Sequence, residues 1–285
     1  MSVLVDSSTR VIVQGITGHQ GSFHAGQMIK FGTKVVAGVS PGKGGSKFQD
    51  SVPIVDSVAD AMSLNPNATM ISVPAPFVRD AAFEAIDQRI KLVYILTEHV
   101  PFHDSMEIVH EAMARGITVL GPNGPGITAP FTCKIGIMPN QIFKEGDVAV
   151  ASRSGTLTYE IVESITRAGM GESTVIGLGG DPVVGLTFID VLKLFEADPK
   201  TKRIVLVGEI GGNNEELAAK YIKEHVSKKV VAYITGRSAP PGKRMGHAGA
   251  IIEKGIGTAD SKIRAFNDAG VKVAEYPQDV PKLLR

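Results

Sequence analysis

The chain contains no tryptophan and a single cysteine, Cys133, in 285 residues. One thiol cannot build a disulfide framework, which fits a reducing compartment. Net charge is almost absent as well: 30 basic against 29 acidic side chains leave a formal charge of +1. Without a basic excess nothing suggests a polyanion-binding surface, and nucleic acid is a poor candidate partner. No apolar run reaches the roughly 18 residues of a membrane span. The opening residues, Met1 to Asp6, lack the basic and then apolar regions of a signal peptide, and no arginine-rich presequence precedes the first strand. A soluble cytoplasmic protein is expected, with an organellar protein already stripped of its presequence as the alternative. What is there is an ordinary globular composition, 43% hydrophobic and 21% charged, long enough for two domains.

Through the first half, short β-branched runs alternate with amphipathic stretches. Residues 11–14, 34–39, 68–73, 92–96 and 118–120 read as strands, and 21–31, 58–64, 77–88 and 105–115 as helices. Strand–helix alternation at this spacing implies a parallel sheet covered on both faces, a doubly wound domain. From about Gly121 the chain becomes rich in Gly and Pro and loses any clear period, as an interdomain connection would. The alternation then resumes, with strands at 148–151, 175–177, 204–207, 230–234 and 271–273 and helices at 156–167, 188–196, 214–224 and 259–269. The division expected is a first domain over 1–123, a connection over 124–146 and a flavodoxin-like α/β domain over 147–285.

Gly15-Ile-Thr-Gly18-His-Gln-Gly21 follows the first strand and opens a helix. Glycines there allow a tight turn and let backbone N–H groups approach a phosphate at the positive end of the helix dipole. A glycine trio alone also suits tight strand–helix packing; the flanking elements favour a nucleotide-type ligand. After the second strand an NAD site carries Asp or Glu for the ribose hydroxyls, but here the chain reads Val39-Ser-Pro-Gly-Lys43-Gly-Gly. A lysine in place of the acid suits a phosphorylated ribose, as in CoA or NADP, and works against a dehydrogenase; a solvated loop lysine is the plainer alternative. The P-loop spacing is met nowhere, so a nucleoside triphosphate, if used, is expected on another chain.

Six of the seven histidines read as ordinary. His110-Glu111 fails the HExxH pattern because residue 114 is alanine, and Pro101 argues against a helix that would pair His99 with His103, so no metal is expected. His247 differs. It lies in Gly242-Lys-Arg-Met-Gly-His247-Ala-Gly-Ala250, a loop after a strand, flanked by small residues that let a bulky group reach a nucleophilic imidazole. Gly208-Glu209-Ile-Gly-Gly212 follows another strand of the same domain, and parallel topology could bring both loops to one edge, where the carboxylate would orient the ring. Ser152-Arg-Ser154-Gly155-Thr156 follows a third strand and starts a helix. Its hydroxyls and helix N-terminus suit a phosphoryl dianion, and Ser154 and Thr156 suit a helix cap equally well.

These segments, with Pro41-Gly-Lys-Gly-Gly45, Val73-Pro-Ala-Pro-Phe77, Ser152-Arg-Ser-Gly-Thr-Leu-Thr-Tyr-Glu160, Gly179-Gly-Asp-Pro182 and Lys243-Arg-Met-Gly-His-Ala-Gly-Ala250, resemble the succinyl-CoA synthetase α subunits from end to end and in order. The resemblance implies a Rossmann-like CoA-binding domain and a flavodoxin-like ligase domain. It also implies a β subunit of ATP-grasp fold that binds Mg-ATP or Mg-GTP, in an αβ or α2β2 assembly. By matching motifs, Thr17, Gly18, His19, Gln20, Lys43, Leu96, Thr97 and Glu98 would contact CoA. His247 would carry phosphate, Glu209 would orient it, Ser152, Ser154, Gly155 and Thr156 would bind the phosphoryl group, and Tyr159 would lie near the carboxylic substrate. The chemistry implied is an acyl phosphate attacked by the CoA thiol, with His247 taking up phosphate and passing it on from a mobile loop. Succinate is the acid implied, with malate as the alternative; a non-catalytic CoA- or NADP-binding protein would leave the second-domain loops without a purpose. One departure is plain: the family usually has Gly-Pro-Asn-Cys-Pro-Gly where this chain reads Gly121-Pro-Asn-Gly124-Pro-Gly126.

Overall fold

The computed structural model describes residues 3–240, 242–252 and 256–285. Its first half contains β1 (Arg10–Gln14), α1 (His19–Phe31), β2 (Lys34–Val39), β3 (Lys47–Phe48), β4 (Val52–Val55), α2 (Val58–Ala61), β5 (Ala68–Ile71), α3 (Val78–Asp87), β6 (Leu92–Ile95), α4 (Phe102–Ala114) and β7 (Thr118–Leu120). The β-branched runs form a seven-stranded sheet in the order β3-β4-β2-β1-β5-β6-β7, parallel except where β3 runs against β4. The short pair β3–β4 lies in the Gly- and Ser-rich stretch after Lys43, where too few apolar residues repeat to announce it. The chain turns outward from β1 on both sides, to β2 and to β5. This places a crevice at the carboxyl ends of β1 and β5, the usual ligand position in an open α/β sheet.

The second half contains β8 (Gly126–Ala129), β9 (Cys133–Gly136), β10 (Glu145–Ser152), α5 (Gly155–Arg167), β11 (Glu172–Gly177), α6 (Phe188–Ala197), β12 (Arg203–Glu209), α7 (Asn214–His225), β13 (Lys229–Thr235), α8 (Ala259–Asp268), β14 (Lys272–Ala274) and α9 (Val280–Leu284). The sheet order is β14-β13-β12-β10-β11-β8-β9. Strands β10 to β14 are parallel, with a second switch point at β10, between β11 and β12. The fold is therefore α/β throughout, Rossmann-like and then flavodoxin-like. No helix among the described residues is long and apolar enough to cross a membrane.

The stretch read from sequence as a connection carries two strands. Residues 126–136 form an antiparallel hairpin, β8–β9, which extends the second sheet beyond β11. Its period was hidden by glycines, and the glycines are what the hairpin requires. Gly126 and Gly136 face each other in register at φ +100° and +128°, and a Cβ on Gly126 would lie 2.0 Å from the Ile135 carbonyl oxygen. The hairpin also forms the seam between the two sheets. The Thr33 hydroxyl at the end of α1 donates to the Lys134 carbonyl at 2.7 Å and accepts the Lys134 N–H at 2.9 Å. Asn140 donates to the Gln27 carbonyl at 3.0 Å, and the Tyr94 hydroxyl donates to the Gly124 carbonyl at 2.7 Å. One buried apolar cluster runs from Val13 and Met28 across this seam to Ile127 and Ile135.

Glu172 opens β11 fully buried, accepting the Lys144 N–H at 3.1 Å and the Thr166 hydroxyl at 3.2 Å. Burial outweighs those bonds and pushes its carboxyl up to about 7. The folded chain thus holds this proton more tightly than the unfolded one, so the stabilising effect is complete below the ordinary carboxylate range and is lost as pH rises to about 7. Glu172→Gln should melt close to wild type at pH 5 and above it at pH 8, measured by thermal denaturation. A variant that melts below wild type at pH 8 would contradict this.

Candidate functional site

Each sheet presents its site loops at the carboxyl ends of its strands. At the first, Gly15 adopts φ +83°, and a Cβ there would lie 2.5 Å from the Ser72 carbonyl oxygen. Gly21 packs so closely that its Cβ would sit 2.2 Å from the Gly15 oxygen. These contacts bring the start of α1 down onto β1 and β5. Gly18 caps that helix without a side-chain hydrogen bond, and no acidic residue occupies the first turn, so the positive helix end is open. Thr17, Gly18, His19 and Gln20 are all exposed there.

Two cavities meet at this crevice, sharing Val73 and Pro74 as a common wall. One, of about 640 Å3, is lined by Thr17, Ser40, Pro41 and Lys43, with Phe77 and Glu84 opposite. The Thr17 and Ser40 hydroxyls stand 3.0 Å apart at its mouth. The other, of about 660 Å3, is bounded by Gly18, His19 and Gln20 and by Leu96, Thr97 and Glu98 after β6. Thr97 is fixed by donating to the Val73 carbonyl at 2.7 Å. The far wall of this second cavity comes from the other sheet: Asn123 to Pro125, then Ser154, Gly155, Thr156 and His247.

The structure brings His247 and Glu209 into contact. The ring Nδ1 lies 2.8 Å from Glu209 Oε2. A carboxylate only accepts, so Nδ1 carries the proton and Nε2 keeps its lone pair. The hydrogen bond to Glu209 raises the imidazole pKa, with burial working against it. Glu209 is buried and supported from behind. Its Oε1 is 3.3 Å from the Arg153 guanidinium, which also pairs with Glu215 at 3.0 Å. Glu215 in turn pairs with Lys262 and accepts the Glu209 N–H at 3.2 Å. The Lys262 ammonium donates to the Gly211 carbonyl at 2.8 Å. Burial works against the charge on Arg153; Glu215 and Glu209 outweigh it and raise the guanidinium pKa. Two cations and two carboxylates are thus interleaved out of water, each facing opposite charge.

Glycines make room for this loop. A Cβ on Gly180 would lie 2.2 Å from the His247 ring, and one on Gly211 would lie 1.9 Å from the Gly249 carbonyl oxygen. Gly249 donates its N–H to the Gly180 carbonyl at 3.1 Å. The loops after β11 and β12 therefore grip the histidine loop through backbone.

At the start of α5, Ser154 is the N-cap, accepting the Leu157 N–H at 3.4 Å, and the first turn holds no acid. Ser152 stands elsewhere than on the cavity wall. It is fully buried, donating its hydroxyl to the Ser154 carbonyl at 2.8 Å and accepting the Ser154 N–H at 3.1 Å, so it shapes the turn. Tyr159 sits behind Gly155, with burial pushing its phenol up to about 12. A Cβ at Gly124 would lie 2.7 Å from the Gly177 carbonyl oxygen, so the backbone here has closed to a spacing that any side chain would force apart. Among the described residues no three His, Cys, Asp or Glu gather as metal ligands. The sequence reading assigned no role to Arg153, Glu215, Lys262 or His24, which also lines the shared cavity. Glu215 and Lys262 are 47 residues apart and only packing pairs them, whereas His24 lies one helical turn beyond Gln20 and was legible as its neighbour.

Glu209→Gln should lower the His247 titration midpoint, read from its imidazole NMR signals, because the main support of the charged ring is gone while burial remains. A midpoint unmoved from wild type would refute that cause. Lys262→Met leaves Glu215 short of a cation and should cost about 3–5 kcal/mol of stability in chemical denaturation, the usual penalty for breaking a buried pair. A loss below about 1 kcal/mol would mean the pair does not hold the network.

Comparison with known proteins accounts for both halves. A family profile described as CoA binding domain matches residues 6–99, and one described as CoA-ligase matches residues 151–272. The Archaeoglobus fulgidus protein named succinate–CoA ligase [ADP-forming] subunit alpha 2 is 53% identical, covering 100% of this chain and 99% of that protein. The Methanothermobacter thermautotrophicus succinate–CoA ligase [ADP-forming] subunit alpha is 55% identical over 99% of this chain and 96% of its own, and a Staphylococcus epidermidis counterpart is 50% identical over 100% and 94%. Among solved structures, the Methanothrix soehngenii ATP citrate lyase superposes with a TM-score of 0.90 at 24% identity. It matches 99% of this chain, which spans 50% of that one, a likeness of fold. With identity above one half running the whole length of both chains, and with the two matched domains in the order of the two sheets, the protein belongs to the succinate–CoA ligase α-subunit family.

Proposed function

We propose that this chain is the CoA-binding, phosphoryl-carrying subunit of a succinate–CoA ligase, working with a β subunit of ATP-grasp fold that supplies Mg-ATP or Mg-GTP. The observation that carries the reading is one shared cavity. On one side stand the start of α1 and the 96–98 loop; on the other stand the start of α5 and an imidazole whose Nδ1 is held by Glu209, leaving Nε2 to react.

In the ligation direction, His247 Nε2 attacks the terminal phosphorus of the nucleotide on the partner, and the diphosphate leaves with the bonding electrons. As the ring takes on positive character, Glu209 stabilises it and fixes its tautomer, the role a carboxylate plays behind a catalytic histidine. The open N-terminus of α5, with Ser154, Gly155 and Thr156, faces the dianionic phosphoryl group. A succinate carboxylate then takes the phosphoryl group from Nε2 as acyl phosphate. The CoA thiol attacks the acyl carbon, the carbon–oxygen bond to phosphate breaks, and orthophosphate departs. Passing the phosphoryl group through the ring divides one demanding transfer into two easier ones. The exposed loops at Thr17–Gln20 and Lys43 would hold the nucleotide end of CoA, with the Lys43 ammonium suited to the phosphate on its ribose. Tyr159 would lie near the carboxylic substrate.

Incubating the reconstituted αβ pair with γ-labelled nucleotide should label this chain with an acid-labile phosphoryl group, and His247→Asn should abolish the label. Label surviving in that variant would end the assignment.

A further inference from the structure

Thioester formation needs a thiolate, yet a free thiol titrates near ~8.5 and is mostly protonated at neutral pH. A base within reach of the thiol is therefore required, and the shared cavity offers few. Among the described residues its titratable lining groups are His19, His24, Glu98 and His247. Nδ1 of His247 is bound to Glu209, and its Nε2 is the phosphoryl carrier in the reading above. Glu98 is an exposed carboxylate 3.8 Å from His99, and a solvated carboxylate is a weak base toward a thiol. His19 stands exposed at the open helix end, where the anionic part of the ligand would lie.

His24 is built differently. It is half-buried on the second turn of α1, four residues beyond Gln20, and faces the same cavity. Its Nε2 lies 3.1 Å from Gln20 Oε1, an oxygen that only accepts, so Nε2 holds the proton and Nδ1 holds the lone pair. The Phe23 ring stands edge-on to it at 5.1 Å. Burial, and then the charge of Lys134 on β9, hold its pKa below the ordinary histidine value, which favours the neutral ring. Lys134 is itself buried, and no carboxylate among the described residues pairs with it; its ammonium donates to the Met138 carbonyl at 2.8 Å and the Asn140 amide oxygen at 2.5 Å. His19 on its own helix and Glu98 and His247 across the cavity are the other titratable groups that line it among the described residues.

We propose that His24 is the general base that activates the CoA thiol, an assignment that rests on the cavity being the site of thioester formation. The S–H proton passes to Nδ1 as sulfur bonds to the acyl carbon and orthophosphate leaves with the C–O electron pair. The imidazolium then returns its proton to solvent. In reverse, the imidazolium reprotonates the departing thiolate.

The test separates the two half-reactions in the αβ pair. In His24→Asn, labelling of His247 from γ-labelled nucleotide without CoA should stay within about twofold of wild type. Single-turnover thioester formation from the phosphorylated pair, succinate and CoA should fall on the order of 10²-fold at pH 7, with CoA affinity little changed. The variant's rate should climb with pH toward ~8.5 as the thiol ionises by itself, whereas wild type, whose base titrates below the ordinary range, should already be level. His24→Gln, closer in shape, serves as the second variant. Thioester formation at the wild-type rate and pH profile in either soluble variant would overturn the assignment, as would an equal loss in both half-reactions. A wild-type pair that takes no label would instead overturn the phosphohistidine reading, and the base assignment with it.

Discussion

The His247 imidazole is oriented here because its Nδ1 is held at 2.8 Å by a buried carboxylate. Glu209 is buried, and a buried carboxylate is tolerable only if its charge is answered. Arg153 answers it, and Arg153 must itself be shared with Glu215, which is balanced by Lys262. The histidine's orientation is thus the last link of a chain of charges reaching through the ends of β10 and β12 into α7 and α8. The chain is strong because it is out of water, and for the same reason every member depends on the others.

The second constraint is that two sheets turn their carboxyl edges toward one space. Parallel strands put all their outgoing loops at one end, so each sheet gathers its functional residues without long-range contrivance. Facing the two edges is the work of the seam. The β8–β9 hairpin extends the second sheet and hydrogen-bonds to the end of α1 through Thr33, and Tyr94 of the first sheet reaches across to Gly124. The cavity that joins Gln20 to His247 lies where this seam brings the two edges together.

Much of this was legible in advance. Alternation of β-branched and amphipathic runs marked the ten strands and eight helices named from sequence, with bounds displaced by up to three residues where caps and frayed ends decide them. The glycine loop before α1, the lysine after β2 and the glycine-flanked His247 stood out in the sequence, and the structure sets them on the walls of two adjoining cavities. The hairpin did not, since glycines at 126 and 136 erase the apolar period that reveals a strand. Ser152 read as a phosphate ligand, yet its hydroxyl serves the turn, a distinction that a helix-start motif does not contain.

By itself the sequence determined most of the segments that become strands and helices, and the family to which the chain belongs. These follow from local propensity and from steric limits acting over a few residues. Only the tertiary structure decided that Arg153, Glu209, Glu215 and Lys262 interlock, that His24 shares a cavity with His247, and that Gly180 yields its side-chain volume to an imidazole. Those meetings join residues tens of positions apart. Their energies arise from burial and from charge at short range in a low dielectric, quantities that come into being only when the sheets pack.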